Sequence, residues 1–548
     1  MSFARHVPLP FRRRNPLTAL CVIFLSLTAL HAADLPRRPN IVYVMADDLG
    51  IGDVASYGGG RCRVATPSFD RLAAEGMRFT DAHSVTSHCV PARVAIMTGR
   101  YPWRFRPIER RGRWGFLHPQ FPTGQLTLGR LLRRVGYRTG YIGKWHLGTS
   151  MRTHDGERQN SSNVDYKSPL EVGPADHGFD YSFILPGSLD MYPYAFVRNN
   201  MWVGDVTTQK GWSAFNRVGP AAEKFEDHKV LDTFAREAEE FISARAADGP
   251  RRQPFFLYVA LTAPHTPLSP RAEFDGKSGL GPYLDLVMET DDTLGRVLRA
   301  LDAHGLADNT LVIATSDHGP APCSGIQRKA AKGQVHELEK LGHFPSGIYR
   351  GYKFSAYEGG LRVPFLVRWP GVVPAASRCD RLIGLNDLMA TVGDVVGATF
   401  ADAEAPDSIS YLPLLKNPHA EATRAEMVLR ASRCFVLRQG TWKLVLGPGS
   451  GCGGHWGNSP TAVDAWQAAI SGRSAPPREA ELRRAPFVQL FELAADPGES
   501  KNLAELYPGR IDALISMLEK ASARGRSTPG TALPVENEGL TFLPSAPR

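Results

Sequence analysis

The sequence predicts an α/β protein: a large mixed, mostly parallel sheet sandwiched by helices, with a smaller C-terminal α+β subdomain of short antiparallel strands and a helix. Three observations carry this. Residues 40–46, 255–261 and 310–315 are near-continuous apolar runs. Strands buried on both faces of a parallel sheet read this way, whereas a half-wet sheet would alternate. Stretches with helical apolar spacing lie among them, at 127–135, 229–245 and 282–304. The last has its stripe through Leu284, Val287, Leu294, Val297, Leu298 and Leu301, the marking of a core-facing helix. Beyond residue 418 the pattern changes to short strands at 435–438, 442–446 and 489–493, then a helix at 511–523.

The chain opens with Arg5, Arg12, Arg13 and Arg14 ahead of an apolar run over 16–30 and the small residues Ala32 and Ala33. That is the arrangement of a secretion signal, and the run is short for a membrane span. The expected divisions are a signal peptide at 1–33, a catalytic domain at 34–401, a linker at 402–418 and the C-terminal subdomain at 419–548. The expected location is exported, either periplasmic or secreted, with no stable membrane span. The net charge of +9 includes the four leader arginines, which leaves +5 on the mature chain. That balance suits an anionic substrate, and equally a solvated basic surface. Of seven cysteines one leaves with the leader, and six are too sparse to build a disulfide framework in 548 residues. No zinc-type spacing, repeat or glycine-rich nucleotide loop occurs, and no nucleic-acid partner is expected.

Taken in order, the first strand ends in Asp47-Asp48-Leu49-Gly50. Open α/β sheets place their sites at such strand ends, and two adjacent carboxylates repel unless a divalent cation joins them. A polar loop with capping aspartates is the plainer alternative. Residues 66–76 read as a helix with Thr66 as its cap, Pro67 at its first position and Gly76 at its end. Ser87-His88-Cys89-Val90-Pro91-Ala92-Arg93 then leads into a helix that Gly99 can end. Cys89 thus sits at a helix N-terminus, where free N–H groups favour anions, and Arg93 lies one turn on. It is either a buried structural cysteine or a nucleophile in an anion cradle.

A strand at 138–142 delivers Gly143-Lys144-Trp145-His146-Leu147-Gly148. If the segment is extended, Lys144 and His146 share one face, a cation and an imidazole suited to an oxyanion. Asp176-His177-Gly178-Phe179-Asp180 reads as a structural turn. His265 follows the strand at 255–261, and Asp317 and His318 follow that at 310–315. A polar insert over 320–350, containing His336 and His343, reads as a specificity loop or lid. Lys353 then precedes Glu358-Gly359-Gly360 by five residues. A last strand at 365–369 and a helix at 385–396 close the first domain, and the tail after Arg526 reads as loosely ordered.

Cys89-x-Pro91-x-Arg93 with Thr98-Gly99-Arg100 resembles the signature of type I sulfatases, members of the alkaline phosphatase superfamily. The Asp47-Asp48 pair, Gly-Lys-Trp-His-Leu-Gly at 143–148, His265, Asp317-His318 and Lys353 resemble the same family, so the likeness spans nearly the whole mature chain. The resemblance implies a sulfuric ester hydrolase, arylsulfatase-like, whose Cys89 is oxidised to formylglycine by a formylglycine-generating enzyme. It implies one calcium ion held by Asp47, Asp48, Asp317, His318 and residue 89. Arg93, Lys144 and Lys353 would neutralise the sulfuryl group, His265 would protonate the departing alcohol, and His146 would deprotonate the hydrated aldehyde. His318 departs from the commoner asparagine, and an imidazole bears on which metal is held, since calcium prefers oxygen. The expected substrate is a sulfated small molecule or glycan. The rival readings are a phosphonate or phosphodiester hydrolase of the same superfamily, and a sulfated-glycan-binding protein without turnover.

Overall fold

Strand β1, Asn40–Asp47, runs through the middle of a ten-stranded sheet. The computed structural model describes residues 1, 38–105, 112–211, 216–249, 253–321, 335–431, 434–450 and 486–535. Apart from Met1 the expected signal peptide lies outside the described residues, as do Cys323, Cys452 and residues 322–334 of the insert. The other strands of this sheet are β2 (Met77–Phe79), β3 (Arg138–Lys144), β4 (Tyr181–Leu185), β5 (Val197–Arg198), β6 (Met201–Trp202), β7 (Phe255–Pro264), β8 (Thr310–Ser316), β9 (Phe365–Arg368) and β10 (Ser377–Cys379). Their order is β10-β2-β9-β8-β1-β7-β3-β4-β5-β6. Strands β8, β1, β7, β3 and β4 run parallel, β9 is antiparallel to both neighbours, and β5 and β6 turn back at the far edge. The sheet is mixed and mostly parallel.

Both faces are covered, which is why β1 reads as a continuous apolar run. Ile41, Tyr43 and Met45 pack on one side with Val94 and Ile96 of α2 (Cys89–Thr98), Leu128 and Leu131 of α3 (Leu128–Arg134), and Leu388 of α6 (Leu388–Val396). Val42, Val44 and Ala46 pack on the other with Phe69 of α1 (Pro67–Glu75), Phe234 of α4 (Val230–Ala247), and Leu284 of α5 (Pro282–Ala303). Each fully buried side chain of this kind contributes about 2 kcal/mol.

Thr66 does not cap α1 in the expected way. Its hydroxyl accepts the Ala55 N–H at 2.9 Å. The orphan N–H groups of Ser68 and Phe69 are instead taken by Asp291, reaching across from α5 at 3.0 Å to each. A tertiary carboxylate replaces the local cap, and burial pushes its pKa up to about 6. No local signature announces a cap supplied from 220 residues downstream.

The C-terminal sheet is antiparallel, β11 (Glu426–Ala431), β12 (Cys434–Gln439), β13 (Trp442–Leu446) and β14 (Val488–Glu492) in sequence order. Helix α7 (Pro508–Ala523) packs Leu514 and Leu518 on it, and Tyr101, Trp103, Tyr357 and Leu361 join that core from the first part of the chain. The stretch 402–418, the expected linker, carries a short helix, Leu412–Lys416, and Asp407 is buried against Arg104 at 2.8 Å. The start of the tail is not loose. Arg526 reaches Asp402 at 2.6 Å and Ser527 donates to Asp407 at 3.0 Å.

The turn at 176–180 has a consequence for pH. His177 is buried beneath Phe121 and Trp145, and neither ring nitrogen meets a hydrogen-bond partner among the described residues. Burial, with Arg130 nearby, pushes its pKa down from 6.5 to about 4. The unfolded chain therefore binds the extra proton, and stability present above about pH 6.5 is lost as the pH falls toward 4, by about 3 kcal/mol in all. His177→Phe should lose less between pH 7 and pH 4.5 than the native chain, read as unfolding midpoints. Equal losses in both would place the titration at other groups.

Candidate active site

Ten residues singled out in the sequence converge at the C-terminal edge of the parallel strands. Asp47 ends β1 and Asp48 follows it with φ +65°, in the left-handed region that an aspartate tolerates and most residues do not. His146 (φ +50°) and Phe354 (φ +74°), next to Lys353, share this conformation. Strain of this kind costs about 1–3 kcal/mol per residue and persists where neighbours enforce it, commonly at functional sites. His146 corrects the expectation of an extended Lys144–His146 segment. β3 ends at Lys144, whose Nζ meets Asp47, and the chain turns at His146, whose ring is hydrogen-bonded to Cys89. Gly143 permits the approach: its backbone has φ +115°, and a Cβ there would lie 1.8 Å from the Ala260 carbonyl oxygen of β7.

The acidic part of the site is fully buried. Oxygens of Asp47, Asp48 and Asp317 lie within 4.8 Å of one another. Lys144 Nζ is 2.6 Å from Asp47 Oδ2, and Lys353 Nζ is 2.7 Å from Asp48 Oδ1. Arg93 lies between Asp47 (3.3 Å) and Asp317 (3.0 Å) and donates to the Lys144 carbonyl at 3.2 Å. Burial favours a neutral Asp47, but Lys144, His265 and Arg93 outweigh it and hold the carboxyl well below the usual range. At Asp317 burial prevails, with Asp47 alongside, and the pKa rises to about 6. Asp48 Oδ2 is buried without a hydrogen-bond donor among the described residues. Three crowded carboxylates with an orphaned oxygen form a donor set that fits one hard divalent cation.

Cys89 opens α2, after His88 in extended conformation, and Gly99 closes the helix in the left-handed one. The residue is 7% exposed. Burial alone would push its pKa up, yet Lys144, Lys353 and His318 carry it well below the ordinary thiol value. His318 Nε2 stands 3.3 Å from Cys89 Sγ, 3.5 Å from Asp48 and 3.6 Å from Asp317, while Nδ1 is 2.9 Å from the Gly319 carbonyl. Burial works against a charge on this ring, but Asp317 and Cys89 outweigh it and push the His318 pKa up to about 9, so Nε2–H faces the acidic cluster; to ligate a cation the ring would give up that proton. His146 is hydrogen-bonded to Cys89, and burial pushes its pKa down to about 4. His265, just past β7, has Nδ1 2.6 Å from the Thr266 carbonyl and Nε2 3.7 Å from Asp48.

Two supports were not legible in the sequence. Asp53 is buried beneath the acidic loop, accepting the Gly50 N–H at 2.7 Å and the Tyr283 hydroxyl at 2.6 Å. His343 of the insert is 2.8 Å from its other oxygen. It therefore ties its part of the insert to the acidic loop. Asp190 stands 4.0 Å from His265 Nδ1 and 2.6 Å from Arg217, whose guanidinium stacks on Trp114. Lone aspartates in irregular segments carry no pattern that could have marked either.

Comparison with known proteins shows which family the chain resembles over most of its length. The sulfatase family model matches residues 39–398. An N-acetylgalactosamine-6-O-sulfatase of Bacteroides thetaiotaomicron is 30% identical over 527 residues, covering 89% of this chain and 94% of its own. The steryl-sulfatase of Rattus norvegicus is 33% identical over 471 residues, covering 76% and 77%. A solved structure from a study of glycosaminoglycan metabolism in Bacteroides thetaiotaomicron superposes with a TM-score of 0.73 at 29% identity, covering 88% of this chain and 99% of that one. The strand order, the buried acidic cluster beside Cys89 and these matches together establish that the chain belongs to the sulfatase family of sulfuric ester hydrolases.

Proposed function

We propose that this sulfatase hydrolyses a sulfate ester of a carbohydrate after Cys89 has been matured to formylglycine by a formylglycine-generating enzyme, with one calcium ion held by Asp47, Asp48, Asp317 and His318. The observation that carries the reading is the meeting of Cys89 with Lys144, Lys353, His146 and His318 at the edge of the acidic cluster. The carbohydrate is favoured because the galactosamine-6-sulfatase relative aligns along 89% of the chain.

When present, the cation supplies positive charge beside residue 89 and the formylglycine supplies a hydrated aldehyde as nucleophile. The chain's own residues do the rest. Lys144 and Lys353 are buried ammonium groups, and their preorganised charge stabilises the sulfuryl oxygens most strongly as the ester bond stretches. Arg93 adds a third positive charge and, pinned by two carboxylates and a carbonyl, keeps Asp47 and Asp317 in register. His265 holds Nδ1–H against the Thr266 carbonyl, which leaves Nε2, 3.7 Å from Asp48, to protonate the departing alcohol oxygen. His146 is held neutral by burial and takes the proton from the remaining hydroxyl of residue 89.

Mass spectrometry of the tryptic peptide over residues 79–93, from protein made with and without the maturating enzyme, tests the reading. Formylglycine occupancy should track hydrolysis of 4-nitrophenyl sulfate and of 6-sulfated N-acetylgalactosamine. A fully unmodified thiol beside an active maturating enzyme, or equal turnover at every occupancy, would sink it.

A further inference from the structure

A second basic site lies at the edge of the large sheet. A cleft of about 210 Å³ opens between Ile51 and Gly52 on one side and Gly347, Ile348 and Tyr349 on the other. Three guanidinium groups line it, those of Arg61, Arg78 and Arg378. Arg78 and Arg378 occupy paired positions on the parallel strands β2 and β10, so their side chains leave the same face side by side. Like charges placed across two strands are destabilising, and an acidic neighbour commonly relieves them. Among the described residues no ion pair to a carboxylate reaches any of the three.

The cradle is fixed in place. Arg78 donates to the Ser56 carbonyl and lies over the Tyr57 ring, 5.4 Å from its centroid. Tyr57 is itself held by its hydroxyl at the Phe79 and Phe365 carbonyls, at 2.9 and 2.8 Å. Arg61 lies over the Phe344 ring at 5.4 Å. Ile348 is 46% exposed and, with Tyr349, gives the cleft an apolar wall beside its charges. Guanidinium forks beside an apolar surface match a sugar ring that carries a sulfate or a carboxylate. The cleft lies against the strands at one edge of the sheet that also carries the active site. Its floor also continues the acidic loop: Gly52 N–H donates to the Pro345 carbonyl at 2.7 Å, four residues beyond Asp48.

We infer that this cleft binds a second anionic sugar unit of the polymer whose ester is cleaved next to Cys89. The choice of a sugar polymer rests on the proposed function, whereas the anion chemistry rests on the cleft alone. The substrate would then be a chain with charged units on either side of the cleaved one, held at two points.

The experiment uses the full chain in a Cys89→Ala background, which binds without turnover, and a chondroitin sulfate hexasaccharide as the probe. Arg61→Gln with Arg378→Gln should weaken its binding about tenfold in calorimetry, the loss expected for charge-assisted hydrogen bonds. In chains that keep Cys89, the same pair should leave 4-nitrophenyl sulfate turnover unchanged. Arg378→Glu alone, at an exposed position, gives the same reading should the double variant fold poorly. Unchanged hexasaccharide affinity would overturn the inference. So would inorganic sulfate binding as tightly as the hexasaccharide and losing the same factor, which would assign the cleft to a free anion. Failure of the native chain to hydrolyse any sulfate ester would refute the proposed function and leave the binding measurement readable.

Discussion

Cys89→Ala is expected to lower sulfate-ester turnover by about 10⁵-fold or more, the scale seen when a covalent nucleophile is removed from a preorganised site. The physical case is the surroundings of the side chain. A buried cysteine would ordinarily stay a neutral thiol, yet Lys144, Lys353 and His318 bias this position toward negative charge. The same field would favour the charged oxygen of a hydrated aldehyde. The substitution removes one sulfur atom from the start of α2 and should move the unfolding midpoint little. Lys144→Ala leaves the nucleophile in place and removes one charge, for which about 10²- to 10³-fold is expected. It also strips Asp47 of a contact at 2.6 Å, so part of its loss would be regained with added calcium if Lys144 and the cation share the work of neutralising that carboxylate. Progress curves with 4-nitrophenyl sulfate across a calcium series read both effects. Native-like turnover in Cys89→Ala would move the chemistry away from this site altogether.

The sequence disclosed this site unevenly, for physical reasons. Asp47, His265 and Asp317 could be found because a strand buried on both faces must be apolar throughout, so the first charged residue after it stands out. Cys89 was visible through the proline and glycine that bound its helix. The α/β frame and the C-terminal change to short strands were legible on the same grounds. Side-chain direction was not. Lys144 reaches the site from the end of β3, but His146 does so through a left-handed backbone at its own position, which no local propensity favours. Asp53 and Asp291 act across more than 200 residues of chain, on the Tyr283 hydroxyl and on the start of α1, and Asp190 joins Arg217, 27 residues on, to His265. Such contacts leave no periodicity in the sequence, because only the tertiary fold brings the partners together.

The largest stability effect is expected at Glu358, which the sequence marked only as part of a glycine-rich motif. It is fully buried and meets Lys443 at 2.9 Å, His83 at 2.8 Å, Arg362 at 2.6 Å and Arg438 at 3.4 Å. Asp81 and Glu499 complete the cluster: Asp81 pairs with Arg362 at 2.7 Å, and Lys443 lies 2.7 Å from Glu499. Three carboxylates thus face three obligate cations. Burial works against the charge on Glu358, but Lys443, His83 and the two arginines hold its carboxyl well below the usual range. Lys443 and Arg438 belong to the C-terminal sheet, whereas Glu358 opens a short helix, Glu358–Leu361, that abuts the loop of Asp317 and His318. A Cβ on Gly319 would lie 1.9 Å from the Gly359 carbonyl oxygen, so the two backbones touch. Glu358→Gln keeps the shape and leaves three buried cations against two carboxylates, a loss of about 3–5 kcal/mol. Lys443→Met alone should cost a similar amount. Combined with Glu358→Gln it should cost less than the sum of the two, because each change removes the charge that the other left uncompensated. Urea midpoints for the four chains measure this coupling. Strict additivity would mean that the ion pair does not hold the C-terminal sheet against the active-site loops, and that apolar packing of Tyr357 and Leu361 into the same core does so instead.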